Sequence, residues 1–250
     1  MRMIRTLVLA TTAGLAATAA AAQQAPTPFI LATYYRCDYV RQARADTLYR
    51  QAMAPVLDRQ IKSGNLTSYG FSSHRMGGAW RRLETWTAPS LEKLLAAQEA
   101  FQTDMDKTNP KAAAEFDAIC GSHDDFIWNR AAGSAANPGM TPAASAVSYT
   151  RYFGCSNETV ADMVMETAYT EILNKHLAAG HISSWLWGTH NFGGTIRRIL
   201  NWSGPNVMAV LNAEEMISGD MANNGQWGTF SEACNTHSDY VWQSEVRSAP

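Results

Sequence analysis

The chain has 250 residues, of which 46% are hydrophobic, and carries 20 basic and 22 acidic side chains for a formal net charge of −2. The basic residues are scattered along the sequence, which argues against a nucleic-acid-binding protein and against a polybasic membrane-binding patch. Near-neutral charge and ordinary composition are compatible with one or two globular domains.

The first 22 residues are typical of a secretory signal peptide. Arg2 and Arg5 form a basic n-region, and Thr6 to Ala16 is an apolar stretch too short to span a bilayer. Three alanines before Gln23 offer a cleavage site, the alternative being an anchor that is retained uncleaved. The sequence therefore predicts a periplasmic or secreted mature chain that is not embedded in a membrane.

The first half of the mature chain predicts alternating strands and helices. Pro55 is expected to bend or split the first helix, and Gly64 to end it. The predicted elements are a strand over 29–37, a helix over 46–63, a hairpin over 66–87, helices over 91–105 and 110–119, and a strand over 123–129.

The second half predicts the same elements in the same order after a linker over residues 131–146. Here the first helix contains no proline and is expected to be continuous, with Gly180 as its cap. The predicted elements are a strand over 147–155, a helix over 158–179, a hairpin over 182–202, a helix over 207–221, a short helix ending near Cys234, and a strand over 237–243.

One motif occurs in both halves without a gap. Residues 69–86 align with residues 185–202, so that His74 falls on His190 and the Gly77-Gly78 pair falls on the Gly193-Gly194 pair. Matching continues across all elements at nearly one offset, which indicates an internal duplication. We predict one repeat over residues 29–130 and a second over residues 147–245.

The order β-α-β-β-α-β is that of a split βαβ, ferredoxin-like unit. Right-handed crossovers then give the antiparallel strand order 4-1-3-2 within each repeat. In this order the end of strand 1 lies beside the start of strand 4, which predicts the disulfides Cys37–Cys120 and Cys155–Cys234. Two disulfides agree with an exported protein.

Several features resemble the dimeric α+β barrel superfamily. They are a long helix ending in glycine, a His-x-x-Gly-Gly hairpin, a Trp-Thr or Trp-Ser exit, and a terminal His-x-Asp-x-x-Trp. That superfamily includes antibiotic-biosynthesis monooxygenase-like, muconolactone isomerase-like and stress-responsive barrel domains. The resemblance implies an α+β fold in which two tandem ferredoxin-like repeats pack as an intramolecular, pseudo-dimeric barrel.

Candidate site residues come in pairs, one from each repeat. As a general base with an anion-holding arginine we consider His74 with Arg82, and His190 with Arg198. The alternative is structural: the histidines bond the hairpin backbone, and the arginines pair with Asp104 or Asp220. Candidate ligand-binding residues are Tyr34, Tyr152, Trp86, Trp202, His123 and His237.

The leading hypothesis is a binding protein for a small apolar or aromatic ligand, without catalysis, metal or cofactor. It rests on the aromatic weight of the strands and on the lack of metal-ligand, nucleophile-elbow and phosphate-loop motifs. One alternative is a cofactor-independent monooxygenase or isomerase, and another is a haem-binding protein. We expect a monomer with an internal pseudo-dimer, or a higher homo-oligomer.

Overall fold

The computed structural model describes residues 27–134 and 146–248. The predicted signal peptide and residues 135–145 of the predicted linker lie outside these ranges. The start of the predicted linker, residues 131–133, belongs instead to a strand that continues to Gly133. The strands are β1 (Phe29–Arg36), β2 (Ser68–Met76), β3 (Arg82–Ala88), β4 (Ser122–Gly133), β5 (Val147–Gly154), β6 (Ser184–Phe192), β7 (Arg198–Gly204) and β8 (Thr236–Arg247). The α-helices are α1 (Gln42–Leu48), α2 (Ala54–Lys62), α3 (Leu91–Thr108), α4 (Pro110–Ile119), α5 (Glu158–Val164), α6 (Thr170–Ala178), α7 (Val207–Ala222) and α8 (Trp227–Ala233).

These strands form one closed antiparallel barrel in the order β1-β3-β2-β8-β5-β7-β6-β4. Within each half the order is the predicted 4-1-3-2, and β2 pairs with β8 while β4 pairs with β6. The outer strands of the two halves therefore pair with each other, and no strand of the barrel keeps an open edge. The prediction of a mixed α+β fold built on a barrel is confirmed.

Successive side chains along each strand point alternately to the covering helices and to the lumen of the barrel. On β3, Arg82, Glu84 and Trp86 are buried against the helices that cover the outside of the barrel. Their neighbours, Leu83 and Thr85, face the lumen. Three apolar clusters result, because each half has its own core between sheet and helices and a third core lies inside the barrel.

Both predicted disulfides are present. Cys37 bonds Cys120, and Cys155 bonds Cys234, each joining the end of the first strand of its half to the turn before the fourth. The two bridges span 83 and 79 residues of sequence. Long closed loops restrict the unfolded chain strongly, so each bridge stabilises its half of the barrel.

The first helix of each half differs from its prediction. A π-helical turn joins α1 to α2 at Tyr49–Met53, and a second joins α5 to α6 at Met165–Tyr169. The expected continuous α-helix over 158–179 is therefore wrong. Pro55 stands in the first turn of α2, where its missing N–H is tolerated, and the second half makes the same π-helical turn without a proline. Such turns are rare and frequently accompany functional sites.

Helix ends and hairpins match the sequence more closely. Gly64 and Gly180 end their helices with φ values of +74° and +75°, as the caps require. The hairpin turns use Gly77 and Gly193 at φ values of +121° and +128°. Among the described residues, no helix is long and apolar enough to cross a membrane.

We expect Gly77→Ala to lower the free energy of unfolding by about 1–3 kcal/mol, because alanine is strained at this φ. A Cβ here would also clash with the backbone oxygen of Asp239. Gly219→Ala is the control: nothing lies within 4 Å of its Cβ position, and alanine in a helix gains about 0.5–1 kcal/mol over glycine. Urea denaturation followed by tryptophan fluorescence measures both. Equal stability of the two variants would contradict the turn geometry.

Candidate functional site

Arg82 and Arg198 hold helices to the outer face of the barrel. Arg82 donates to both carboxylate oxygens of Asp46 at 2.5 and 2.8 Å, and Arg198 donates to those of Asp162 at 2.7 and 2.6 Å. Arg198 also donates to Glu158 at 2.6 Å. The expected partners were wrong, because α1 and α5, and not α3 and α7, supply the carboxylates at this end of the hairpin. Asp104 instead pairs with Arg59, and Asp220 with Lys175 and His176.

His74 and His190 lie near the hairpin turns beside the arginine that follows each turn. His74 Nδ1 is 2.8 Å from Arg81, and His190 Nε2 is 3.4 Å from Arg197. Burial, and next the neighbouring arginine, lowers the pKa of each histidine below its ordinary value. Both imidazoles are therefore neutral at pH 7. Nε2 of His74 is buried and makes no hydrogen bond within the described part of the chain.

The predicted ligand-binding residues fall in different layers. Trp86 and Trp202 belong to the two sheet–helix cores, where Trp202 stacks on Tyr149 with 4.6 Å between ring centroids. Tyr34 and Tyr152 lie in the lumen. The remaining pair, His123 and His237, lie on the outer face of the barrel near the disulfides. His123 lies beside Asp125, and His237 lies beside Asp239.

In the first half, a buried glutamate, Glu84, lies at the centre of the core between the sheet and the helices. Glu84 accepts hydrogen bonds from the Tyr35 hydroxyl at 2.9 Å, the Tyr49 hydroxyl at 2.7 Å and the Trp86 indole at 2.8 Å. Burial raises the pKa of Glu84, although these three donors oppose the rise. The sequence placed Glu84 on the same strand face as Trp86, and a glutamate between buried positions was the signal that could have revealed this cluster.

The second half has apolar residues where the first half has this cluster. Leu200 takes the place of Glu84, since each lies two residues after the helix-pairing arginine of its strand. Phe153 takes the place of Tyr35, because both pair with that arginine in register. The second half therefore lacks this hydrogen-bonded cluster, and the two halves differ at the centre of otherwise similar sheet–helix cores.

A cavity of about 180 Å³ lies at this place in the second half, and we call it the sheet–helix pocket. Trp227 stands at its edge with 41% of its surface exposed. The pocket is lined by Arg151, Phe153, Tyr169, Leu200, Met221, Trp227, Phe230, Ser231, Cys234, Asn235 and His237. It thus combines aromatic walls with a few polar groups, the usual character of a small-molecule site.

Tyr169 is the lining residue with an unsatisfied polar atom. It ends the π-helical turn of the second half, and its ring lies 5.2 Å from that of Phe230. Its hydroxyl is buried without a hydrogen-bond partner in the described part of the chain. Burial raises the pKa of Tyr169 to about 12. The hydroxyl therefore keeps its proton at neutral pH and is available as a donor.

The charged groups at the pocket's edge are already paired. Arg151 donates to Asp239 at 3.0 Å and to Glu214 at 2.7 Å. Nε2 of His237 lies 3.5 Å from the carboxylate of Asp239. Since these charges compensate one another, the pocket favours an uncharged molecule.

A second cavity, of about 220 Å³, occupies one end of the lumen, and we call it the lumen cavity. Tyr34 and Tyr152 line it, and their rings meet edge to face at 5.4 Å. The other end of the lumen is closed by stacked rings, among them Trp80 on Tyr34 at 4.3 Å. Neither His74 nor His190 lines the lumen cavity or the sheet–helix pocket.

Comparison with known proteins shows the fold. No protein-family model matches the chain, and no curated protein matches it. A candidate monooxygenase from Lactobacillus acidophilus superposes with a TM-score of 0.58 at 9% identity, over 89% of this chain and 96% of its own. An anthrone oxidase-like protein gives 0.59 at 9% identity, over 90% and 94%. A haem-binding protein from Thermus thermophilus gives 0.51 at 10% identity, over 87% and 91%.

These likenesses show the fold of this chain, which is a mixed α/β fold built on a closed eight-stranded antiparallel barrel. At 9–10% identity the likeness carries no activity or ligand across.

Haem does not fit the sheet–helix pocket. Cavities for drug-sized molecules have volumes of about 300–1,000 Å³, whereas this pocket has a volume of about 180 Å³. A porphyrin is much larger than the single aromatic ring that such a pocket can hold. The histidine in its lining, His237, is paired with Asp239. No group of three metal-ligating side chains occurs within residues 27–134 and 146–248.

We expect Glu84→Gln to change how stability depends on pH. The pKa of Glu84 is higher in the folded protein than in the unfolded chain, so ionising Glu84 costs more in the folded protein. As the pH rises from the unfolded-state pKa through the folded-state pKa, the wild type therefore loses stability relative to the variant. Glutamine keeps a similar shape and can still bond the two tyrosines. Urea denaturation between pH 4 and 8 measures the difference, and the exposed Glu215→Gln is the control. A pH-independent difference between Glu84→Gln and wild type would contradict a raised pKa of the buried Glu84 carboxyl.

Proposed function

We propose that this protein binds a small, uncharged, mainly aromatic molecule in the sheet–helix pocket of its second half, without catalysis. The observation that carries the proposal is the unsatisfied Tyr169 hydroxyl in the lining of an apolar cavity. A buried hydroxyl without a partner costs about 1–3 kcal/mol. A ligand that brings an acceptor removes this cost and also buries apolar surface.

The pocket's size and walls limit the ligand to about one ring system. Phe153 and Phe230 meet edge to face at 5.3 Å, and a flat ring beside them would gain further aromatic contact. The volume of about 180 Å³ excludes larger, drug-sized molecules. A carbonyl or ether oxygen is the acceptor that suits a phenol donor.

Binding is better supported than acid–base catalysis. A general base must reach a proton of the bound substrate, and neither His74 nor His190 lines either cavity. Tyr169 holds its proton at neutral pH, since its pKa is about 12. The arginines of the monooxygenase or isomerase alternative, Arg82 and Arg198, are occupied by helix carboxylates.

The proposal also covers the origin of the two halves, the location of the protein and its oligomeric state. We regard the halves as two tandem ferredoxin-like repeats that form an intramolecular pseudo-dimer, which the shared strand order and the two equivalent disulfides support. Export to the periplasm or medium is supported by the disulfides, which persist in oxidising compartments. The closed barrel is complete in one chain, which favours a monomer.

Acetophenone and ethylbenzene test the proposal, because they share a ring and differ in the carbonyl acceptor. We expect Tyr169→Phe to weaken acetophenone binding about two- to tenfold, the usual worth of one net hydrogen bond, and to leave ethylbenzene binding unchanged. Ligand-observed NMR titration measures both affinities. Tyr39→Phe removes a hydroxyl from a residue that is 73% exposed and serves as the control.

Leu200→Phe gives a second, independent arm. The larger ring occupies part of the pocket, so we expect both ligands to bind more weakly while the far-UV circular dichroism stays that of wild type. If Tyr169→Phe weakens neither ligand, or weakens both equally, the hydroxyl is not the recognition group. If wild type and Leu200→Phe bind alike, the pocket is not the site.

A further inference from the structure

The lumen cavity has a chemistry different from that of the sheet–helix pocket. Its lining combines the aromatic rings of Tyr34, Tyr152 and Trp128 with a belt of hydroxyl and amide groups. The belt comprises Ser72, Thr85, Thr87, Ser148, Thr150, Asn201 and Ser203. Its polar groups contrast with the aromatic side chains that fill the opposite end of the lumen. Such a belt can solvate a polar group that enters the barrel.

Trp128 contributes a weakly satisfied donor to this cavity's lining. The residue is completely buried, and its indole Nε1 faces the Tyr34 hydroxyl without a hydrogen bond of ordinary geometry. Its ring is fixed by stacking on Phe126 at 5.2 Å. An anion or carbonyl in the cavity would offer this N–H a better acceptor than the Tyr34 hydroxyl does.

Arg247 is the charged residue in the lining. Along β8 the pairing with β2 shifts by one residue between Ser244 and Val246, which leaves Glu245 as a bulge. Because a bulge reverses the alternation beyond it, Arg247 shares the lumen face with Ser244 and Trp242. A one-residue irregularity thus places an exposed cation at the mouth of the lumen cavity.

The Arg247 guanidinium has a hydroxyl partner and no carboxylate partner within residues 27–134 and 146–248. Its Nε donates to Ser244 Oγ at 2.8 Å. On the equivalent strand of the first half, Gly133 pairs with Leu186 as Arg247 pairs with Gly70. At Gly133 the place of a side chain is taken by the Arg130 guanidinium, which lies 2.8 Å from the position that a Cβ would occupy.

Register places Arg247 level with Gly70, Thr85 and Ala32 on three successive strands. Tyr34 lies about 7 Å deeper along β1, at about 3.3 Å per residue, and β1 is three strands away from β8 around the barrel wall. The cavity thus lies between the aromatic rings at its deeper end and Arg247 at its mouth. Guanidinium–carboxylate pairs are among the stronger hydrogen bonds, so an aromatic acid suits this arrangement.

We infer that the lumen cavity is a second binding site, for a small aromatic carboxylate whose ring lies among Tyr34, Tyr152 and Trp128 and whose anionic group bonds Arg247. The site is separate from the sheet–helix pocket, because the two lie on opposite faces of the sheet. It stands or falls independently of the proposed function.

Benzoate and benzyl alcohol are the probes, since they differ in charge at similar size. Calorimetric titration of the whole protein should show benzoate binding that weakens at least about tenfold in Arg247→Met, as expected for a lost charge-assisted bond. Benzyl alcohol should bind both proteins alike. Arg75→Met, at an exposed position of β2, makes the same change in net charge and should leave benzoate binding unchanged.

Two further readouts locate the ligand. Benzoate should move the indole N–H signal of Trp128 in a proton–nitrogen NMR spectrum, and acetophenone should not compete with it. The inference is overturned if wild type does not bind benzoate at millimolar concentration, if Arg247→Met binds it as wild type does, or if Arg75→Met loses as much affinity. It is also overturned if acetophenone displaces benzoate, because both probes would then share the sheet–helix pocket.

Discussion

Barrel closure is the constraint on which the rest of the structure depends. β2 pairs with β8, and β6 pairs with β4, so each half completes the hydrogen bonding of the other. An eight-stranded barrel has an interior just wide enough for side chains or one small ligand. Closure therefore creates a lumen that is separate from the two helix-covered outer faces, and both cavities owe their position to this division into layers.

Within this shared frame, the halves differ where a ligand could lie. Glu84, Tyr35 and Tyr49 fill the first sheet–helix layer with a hydrogen-bonded cluster, whereas Leu200 and Phe153 leave space in the second. The helix clamps, by contrast, are kept in both halves, as Arg82–Asp46 and Arg198–Asp162. Buried ion pairs hold geometry more than they add stability. The symmetric features thus maintain the barrel, and the asymmetric ones are the candidates for function.

The sequence predicted the frame well and the cavities poorly. Period-two alternation and Gly-Gly turns located the hairpins, and the repeat order placed Cys37 beside Cys120. Periodicity could not show which helix covers an arginine, so Asp104 was named as a partner and the actual partner, Asp46, was missed. It also could not reveal the bulge at Glu245, because a bulge depends on pairing with another strand. Whether aromatic residues enclose space or fill it depends on packing from distant segments, which no local pattern records.

A crystal structure with para-bromoacetophenone, analysed at the bromine absorption edge, tests the central claim most directly. We expect one anomalous peak among Phe153, Leu200 and Phe230, with the ketone oxygen within hydrogen-bond distance of the Tyr169 hydroxyl. A fully occupied ligand elsewhere on the protein, or an empty pocket at saturating concentration, would contradict it.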